Sequence, residues 1–454
     1  MKNQDHKELN YFEYWTRRNF LKAAGVWAGA GILQPLFPLI GAGKSIAAAY
    51  PDEVLSIEKY TKGRVKPGMV ISKSNAELVK DICTEGLYTE LTRGREIKID
   101  TTTLRVEAFT PQPWIEATLR NKGQAVLDNK GQLRSKDGRP WIGGTPFPEA
   151  KSALEIMWNQ LINFRRYDDE VEPFREVVID GSGTILRRVA GYFVTIYTNA
   201  RTAVDPRPIV PAYKDELYRV GLTFVEPFDV YGLSIVTTGF YDAAKDIELT
   251  GYIPNLRRVR RLPSTQRFEP PGPYNVYYSS DISLHNDPIL SWNWKLIETK
   301  PMLLPSPVNV GAFAPGATEK DFVFPYAENQ KYPRTTWELR PEVVVVEGAS
   351  DLPGNPYSRK RLYYDVITSR AVCAETWDKQ GKLFKFMTYF FGSFEYAGGK
   401  ANAEAGLSFA NVQTDTHSNI WIFPEIGGVK FALNVGTKTE DWFTDRAMIS
   451  RARR

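Results

Sequence analysis

From residue 175 to residue 433 the chain repeats one pattern. Short β-branched and aromatic runs are cut by turn residues. Val177-Val178-Ile179, then Asp180-Gly181-Ser182-Gly183, then Thr184-Ile185-Leu186 read as strand, turn and strand, and residues 192–197 follow as a further strand. Residues 222–225, 233–238, 343–347, 362–367, 384–391, 421–423 and 429–433 repeat the pattern, each bounded by Gly, Pro, Asn or Asp. Helical patterns are few and do not alternate with strands, which argues against a doubly wound parallel sheet. The expected fold is mainly β with few α: one large, curved antiparallel sheet.

The clearest helical periodicity covers residues 149–164, where Leu154, Met157, Trp158, Leu161 and Phe164 share one face. Such a face packs on the sheet or serves as a lid over a ligand cavity. Ser74-Asn75-Ala76-Glu77 has the form of a capping box, with Leu78, Val79 and Ile82 at helical spacing behind it, so a short helix is predicted there. Residues 96–109 read as a strand. Residues 121–148 are rich in turn residues, and residues 263–273 and 301–333 are proline-rich loops. No fixed-period repeat and no domain boundary appears, so residues 50–454 are expected to form a single domain.

The amino-terminal segment follows another logic. Thr16-Arg17-Arg18-Asn19-Phe20-Leu21-Lys22 precedes an uncharged run over residues 23–43, and Ala47-Ala48-Ala49 offers small residues for a signal peptidase. Arg17, Arg18, Phe20 and Leu21 thus read as a twin-arginine (Tat) export signal over residues 1–49, with cleavage after Ala49. The Tat translocon is the implied partner during export, and the periplasm is the expected location. The alternative is retention of the uncharged run as an anchor, since it has about the ~20 residues a bilayer span needs.

Charge narrows the partners. The formal net charge is +5, and the first 49 residues carry six Lys/Arg against three Asp/Glu, leaving about +2 for the rest. That balance argues against nucleic-acid binding. With the leader removed, the histidines are His285 and His417, and the two cysteines are Cys83 and Cys373. No metal-ligand spacing, CxxC or GxGxxG opening is present, so no metal and no cofactor are expected. The cysteines either pair or stay as buried free thiols.

Three constellations carry candidate chemistry. In Arg257-Arg258-Val259-Arg260-Arg261, a strand would put Arg258 and Arg260 on one face, where they either hold an anionic head group or are salt-bridged to carboxylates such as Glu248 or Asp246. Asp168, Asp169, Glu170 and Glu172 form an acidic patch, read first as a solvated turn at a helix end and otherwise as an acid–base or cation site. His417 lies near Asp415 and Ser418 but without GxSxG, so a satisfied loop histidine is expected and no catalytic residue is assigned.

Several segments together resemble one family. They are Gly144-Thr145-Pro146-Phe147-Pro148 before the helix that contains Trp158-Asn159, the arginine cluster with the Pro that follows, Trp294-Lys295-Leu296, and Tyr357-Ser358-Arg359-Lys360-Arg361-Leu362-Tyr363-Tyr364-Asp365. In this order they are similar to domain of unknown function 1329. Asp281-Ile282 and Leu290-Ser291-Trp292-Asn293 depart from the acidic residues of that pattern. The resemblance implies a fold like the lipoprotein carriers LolA and LolB, a half-open β-barrel with helices over its mouth. It also implies envelope transport, with an inner-membrane exporter or an outer-membrane protein as partner. The expected function is a periplasmic carrier of a lipid or other hydrophobic molecule. Leu154, Trp158 and Leu161 would line the ligand site, and Arg258 and Arg260 would meet a polar head. The alternatives are a periplasmic hydrolase-type enzyme and a non-catalytic adaptor subunit of an exporter.

Overall fold

Alternation within the strands decides which way each run faces, and the register between them decides the shape. The computed structural model describes residues 46–104, 110–270, 274, 276–312, 331–396, 399–436 and 440–452. Arg17, Arg18, Phe20 and Leu21 lie outside these residues, while Ala49 closes a 3-10 turn, Ile46–Ala49.

The main strands are β1 (Asp169–Ile179), β2 (Ile185–Tyr197), β3 (Glu216–Glu226), β4 (Ser234–Phe240), β5 (Glu248–Ile253) and β6 (Arg258–Leu262), then β7 (Asn293–Pro305), β8 (Thr335–Ala349), β9 (Tyr357–Asp365), β10 (Arg370–Asp378), β11 (Leu383–Tyr396), β12 (Gly399–Asn411) and β13 (Thr416–Ile422). The first six form one antiparallel meander, each strand pairing with its neighbour in order from β1 to β6. The last seven form a second antiparallel meander. The two meanders join where β13 pairs with β1, His417 opposite Ile179. Among these main strands the free edges are therefore β6 and β7. The sheet is mainly β as predicted, curved and open, and residues 263–292 connect its two edges.

Two short parallel pairings make the sheet mixed at its margins. Ile97–Ile99 pairs with the start of β8, and Val308–Ala312 pairs with β11. The predicted strand over residues 96–109 is thus limited to Ile97–Ile99, and residues 105–109 lie outside those described.

Among the described residues the α-helices are α1 (Ile57–Tyr60), α2 (Glu85–Thr92), α3 (Gln112–Asn121), α4 (Ala153–Asn163) and α5 (Asp445–Arg451). The helix predicted over residues 149–164 is α4. It starts at Ser152, whose hydroxyl accepts the Glu155 N–H. Its apolar face, with Met157 and Trp158 fully buried, enters the main core together with Trp141, Trp337 and Trp421. Three polar side chains fix its position. Asn159 Nδ2 donates to the Tyr364 hydroxyl, Asn163 Nδ2 donates to the Ser369 carbonyl, and Gln160 Oε1 accepts the Ala371 N–H.

The capping-box expectation fails at Ser74. Asn75 instead accepts the Ser72 N–H and donates to the Val70 carbonyl, leaving only a 3-10 turn, Ala76–Val79. Cys83 and Cys373 are both buried free thiols.

Candidate functional site

The concave side of the sheet encloses an apolar cavity of about 150 Å³. Alternate residues of each strand supply its wall: Phe174 from β1, Phe193 and Tyr197 from β2, Val220, Leu222 and Phe224 from β3, then Ile235 and Leu249 from β4 and β5. Leu407 and Ile420 complete it from β12 and β13. A second chamber of about 240 Å³ adjoins the first and shares Glu176, Phe224, Leu233 and Tyr277 with it. A 150 Å³ apolar cavity accepts a ring-sized group. Neither chamber alone reaches the ~300 Å³ at which small-molecule sites begin, but the two together exceed it.

The cover comes from two places. Leu161, Phe164 and Arg165 project from the end of α4, and Tyr277, Ile282 and Ser283 come from the segment that joins β6 to β7. Polar contacts hold that segment down: Gln160 Nε2 donates to the Ser283 carbonyl, the Ser283 N–H donates to the Tyr389 hydroxyl 2.8 Å away, and the Tyr218 hydroxyl donates to Asn286. Ser283 and Leu284 both adopt left-handed φ values, 56° and 65°. Such a conformation is unfavourable for non-glycine residues, so the surrounding contacts must enforce it.

Two carboxylates, Glu176 and Glu404, line the cavity, and further buried acids stand close by. Glu170, Glu172, Phe174 and Glu176 have the same parity on β1, so they share its inner face. Arg165 Nη1 donates to Glu170 at 2.8 Å and to Glu172, and its Nη2 lies 3.8 Å from Glu404 Oε2. Burial, together with the neighbouring carboxylates, pushes Glu170 and Glu404 up to about 8, against the pull of Arg165. Glu176 accepts from the Ser418 hydroxyl at 2.6 Å and, at longer range, from Tyr277, and burial raises it as well. His285 also lines the cavity, edge-on to Trp292 and Trp294. Burial and the charges of Lys360 and Arg267 hold its imidazole well below the usual value, so it is neutral at neutral pH.

The acidic patch read as a solvated turn is therefore a buried set of strand residues. Asp168 accepts the N–H groups of Thr202, Ala203 and Val204, and Asp169 those of Val435 and Gly436. These two carboxylates tie loops to β1, whereas Glu170 and Glu172 face Arg165.

The residues singled out in the sequence fall in different places. Leu161 lines the cavity. Trp158 lies in the core beneath it, its indole N–H donating to the Gly131 carbonyl at 2.8 Å, and Leu154 is a half-buried neighbour of that core. Arg258 and Arg260 are exposed on β6. Arg260 stands opposite Gly251 and Leu262 opposite Leu249, so both arginines share the cavity side of the sheet, at its rim. The predicted contact between the cluster and Glu248 is made by Arg261, at 2.6 Å.

His417 is not on a loop but at the start of β13, buried, with Nε2 3.1 Å from Asp415. Ser418, next to it, points to the opposite face and bonds Glu176. A Ser–His couple between them is thereby excluded. Asp281 anchors a separate buried cluster: it accepts from the Tyr357 hydroxyl and meets Lys360 and Lys385, each at 3.3 Å, all three side chains fully buried. Burial, offset in part by Asp281, pushes Lys385 down to about 8. Lys360 also donates to the Ser280 carbonyl, so this cluster holds the cover segment down around residues 280–281.

The family model described as a protein of unknown function, DUF1329, matches residues 70–448. A putative outer membrane lipoprotein-sorting protein domain from Vibrio parahaemolyticus is 14% identical, with a TM-score of 0.44 over 65% of this chain and 98% of its own. A DUF1329 family protein from Desulfovibrio piger is 13% identical, with a TM-score of 0.43 over 64% and 95%. A LolA superfamily protein from Nitrosomonas europaea is 11% identical, with a TM-score of 0.40 over 65% and 99%. No curated protein is significantly similar in sequence.

Proposed function

The chain belongs to the DUF1329 family, and we propose that it is a periplasmic carrier for a lipid or other hydrophobic molecule. The observation that supports this reading is the pair of adjoining chambers on the concave side of the sheet, walled by apolar side chains and closed by α4 and the β6–β7 connection. Burying a methylene there is worth ~0.8 kcal/mol, so eight methylenes gross ~6 kcal/mol before the cost of association. That range allows both uptake and release. Leu161 contacts the cargo directly. Trp158 and Leu154 hold α4 in place behind it. Arg258 and Arg260 stand at the rim, suited to an anionic group that stays outside the cavity. Among the described residues no helix is long and apolar enough to cross a membrane. Export by the Tat translocon and hand-over to an inner-membrane exporter or outer-membrane protein complete the proposal.

The test is binding. Protein purified from the periplasm is extracted with organic solvent for mass spectrometry, and the stripped protein is titrated with Nile red. Stoichiometric lipid or saturable dye binding is expected. The absence of both would remove the carrier reading.

A further inference from the structure

We propose that the inner end of the cavity is a recognition site for a hydrogen-bond donor, so that the cargo is an amphiphile whose buried end carries a primary ammonium or hydroxyl group, received by Glu404. This inference rests on the carrier reading and specifies its ligand.

Glu404 is 6% exposed and lines the cavity. Among the described residues its Oε2 has no hydrogen-bond partner. The guanidinium of Arg165, at 3.8 Å, is within ion-pair range but beyond hydrogen-bond reach, and its Nη1 already serves Glu170 and Glu172. The other cavity carboxylate, Glu176, is engaged by Ser418 and Tyr277. Of the two cavity carboxylates, Glu404 therefore holds the open acceptor, beside the ring nitrogens of His285 and the Thr195 hydroxyl, which are also unpartnered among the described residues. A buried acceptor left without a donor is costly, and a ligand that supplies the donor recovers that cost.

The strand is built to aim it. Leu407 also lines the cavity, three positions away, and in a regular strand residues three apart face opposite sides. The ladder between β11 and β12 passes from Phe390–Gly406 to Phe391–Glu404, leaving Ala405 as an extra residue. This bulge turns Glu404 onto the face of Leu407. Glu170, Glu172 and Glu404 surround the Arg165 guanidinium, and Arg370 stands near Glu404 as well. Glu404 keeps an acceptor lone pair in either protonation state, so a hydroxyl or ammonium donor is matched there whether or not the carboxyl is ionised.

The test uses displacement of Nile red by two dodecyl amphiphiles of equal charge, both below their micellar concentrations. Dodecylamine presents N–H donors, and dodecyltrimethylammonium presents none. Dodecylamine is expected to displace the dye at a concentration at least tenfold lower. In Glu404→Met, which keeps the volume and removes the acceptor, the two are expected to displace at equal concentrations, each measured against that variant's own affinity for the dye. Equal displacement in the native protein, or an undiminished preference in Glu404→Met, would overturn the inference while leaving the carrier reading standing. If Glu404→Met does not fold, the ligand pair on the native protein decides alone. Failure of Nile red itself to bind would remove the carrier reading, and this inference with it.

Discussion

The Tyr50 hydroxyl donates to Oε2 of Glu342, 2.8 Å away and 292 positions along the chain. Tyr50 is 1% exposed and Glu342 lies in β8, so the residue just past the expected cleavage site is part of the core. Cleavage after Ala49 keeps this tie, whereas cleavage beyond Tyr50 removes it. Tyr50→Phe in the chain beginning at Tyr50 is expected to cost ~1–3 kcal/mol, because a buried carboxylate loses a donor. Urea denaturation measures it. On the export side, changing Arg17 and Arg18 together to Lys is expected to leave uncleaved precursor in the cytoplasm, and fractionation followed by immunoblotting reads the outcome.

The Glu170–Glu172–Glu404 group around Arg165, with Arg370 nearby, makes stability depend on pH. The folded state raises Glu170 and Glu404 from 4.5 to about 8, so it binds their protons more tightly than the unfolded chain does. Their contribution is complete below about pH 4.5 and is lost as pH rises through about 8. Because the two titrate together, the expected loss between about pH 5 and pH 9 is roughly 2–5 kcal/mol for the pair. Denaturation midpoints across that range should fall, and Glu404→Met should flatten the slope. A midpoint that rises with pH would contradict the buried acidic cluster.

Leu161 is half-buried and borders the cavity, whereas Trp158 is fully buried in the core. The two positions should therefore separate binding from stability. Leu161→Trp fills the first chamber and is expected to weaken Nile red binding at least about tenfold, ~1.4 kcal/mol, with little change in melting temperature. Trp158→Ala is expected to cost ~3–5 kcal/mol of stability through the cavity it leaves. Arg258→Ala with Arg260→Ala should leave dye affinity and stability unchanged and weaken only anionic amphiphiles. Dye titration and thermal denaturation of the three variants are the checks.

Asp281 compensates two buried lysines. Asp281→Asn is expected to cost ~3–5 kcal/mol, since it leaves buried ammonium charge without its counter-ion. Combining it with Lys385→Met removes one of those charges and should recover a large part of the loss. A urea double-mutant cycle measures the coupling, and additive costs would show that Asp281 and Lys385 act independently.

The sheet was legible because its strands alternate. The turn Asp180-Gly181-Ser182-Gly183 closes as read, with the Asp180 N–H donating to the Thr184 carbonyl. Helix α4 was legible because its apolar spacing and the Ser152 cap agree. Helices α2 and α3 were not: Glu85–Thr92 spans barely two turns, and Gln112–Asn121 opens on prolines that read as loop. Strand β12 was missed because Ala, Asn and Gly dominate it, and its place depends on pairing with β11 and β13. Near the cavity, the apolar helix face that carries Leu161 and the shared strand face of Arg258 and Arg260 followed from periodicity. The spacing Glu170, Glu172, Phe174, Glu176 held a further signal, since four residues of one parity share a face, but their charge favoured a solvated reading. Glu404 could not be read at all, because a bulge reverses the parity on which such reading depends.

Strand β6 has a consequence beyond ligand binding. It pairs only with β5 among the described residues, so its outer backbone groups form a ready template for the strand of another molecule. Exposed side chains of Arg258, Arg260 and Arg261 crowd that edge with like charge. A second copy approaching edge to edge would have to bring the guanidinium groups of Arg258 and Arg260 against the same two, Arg261 being paired with Glu248. The arginines thus guard a concentrated solution against fibril growth, a protection that salt screening weakens as the Debye length falls.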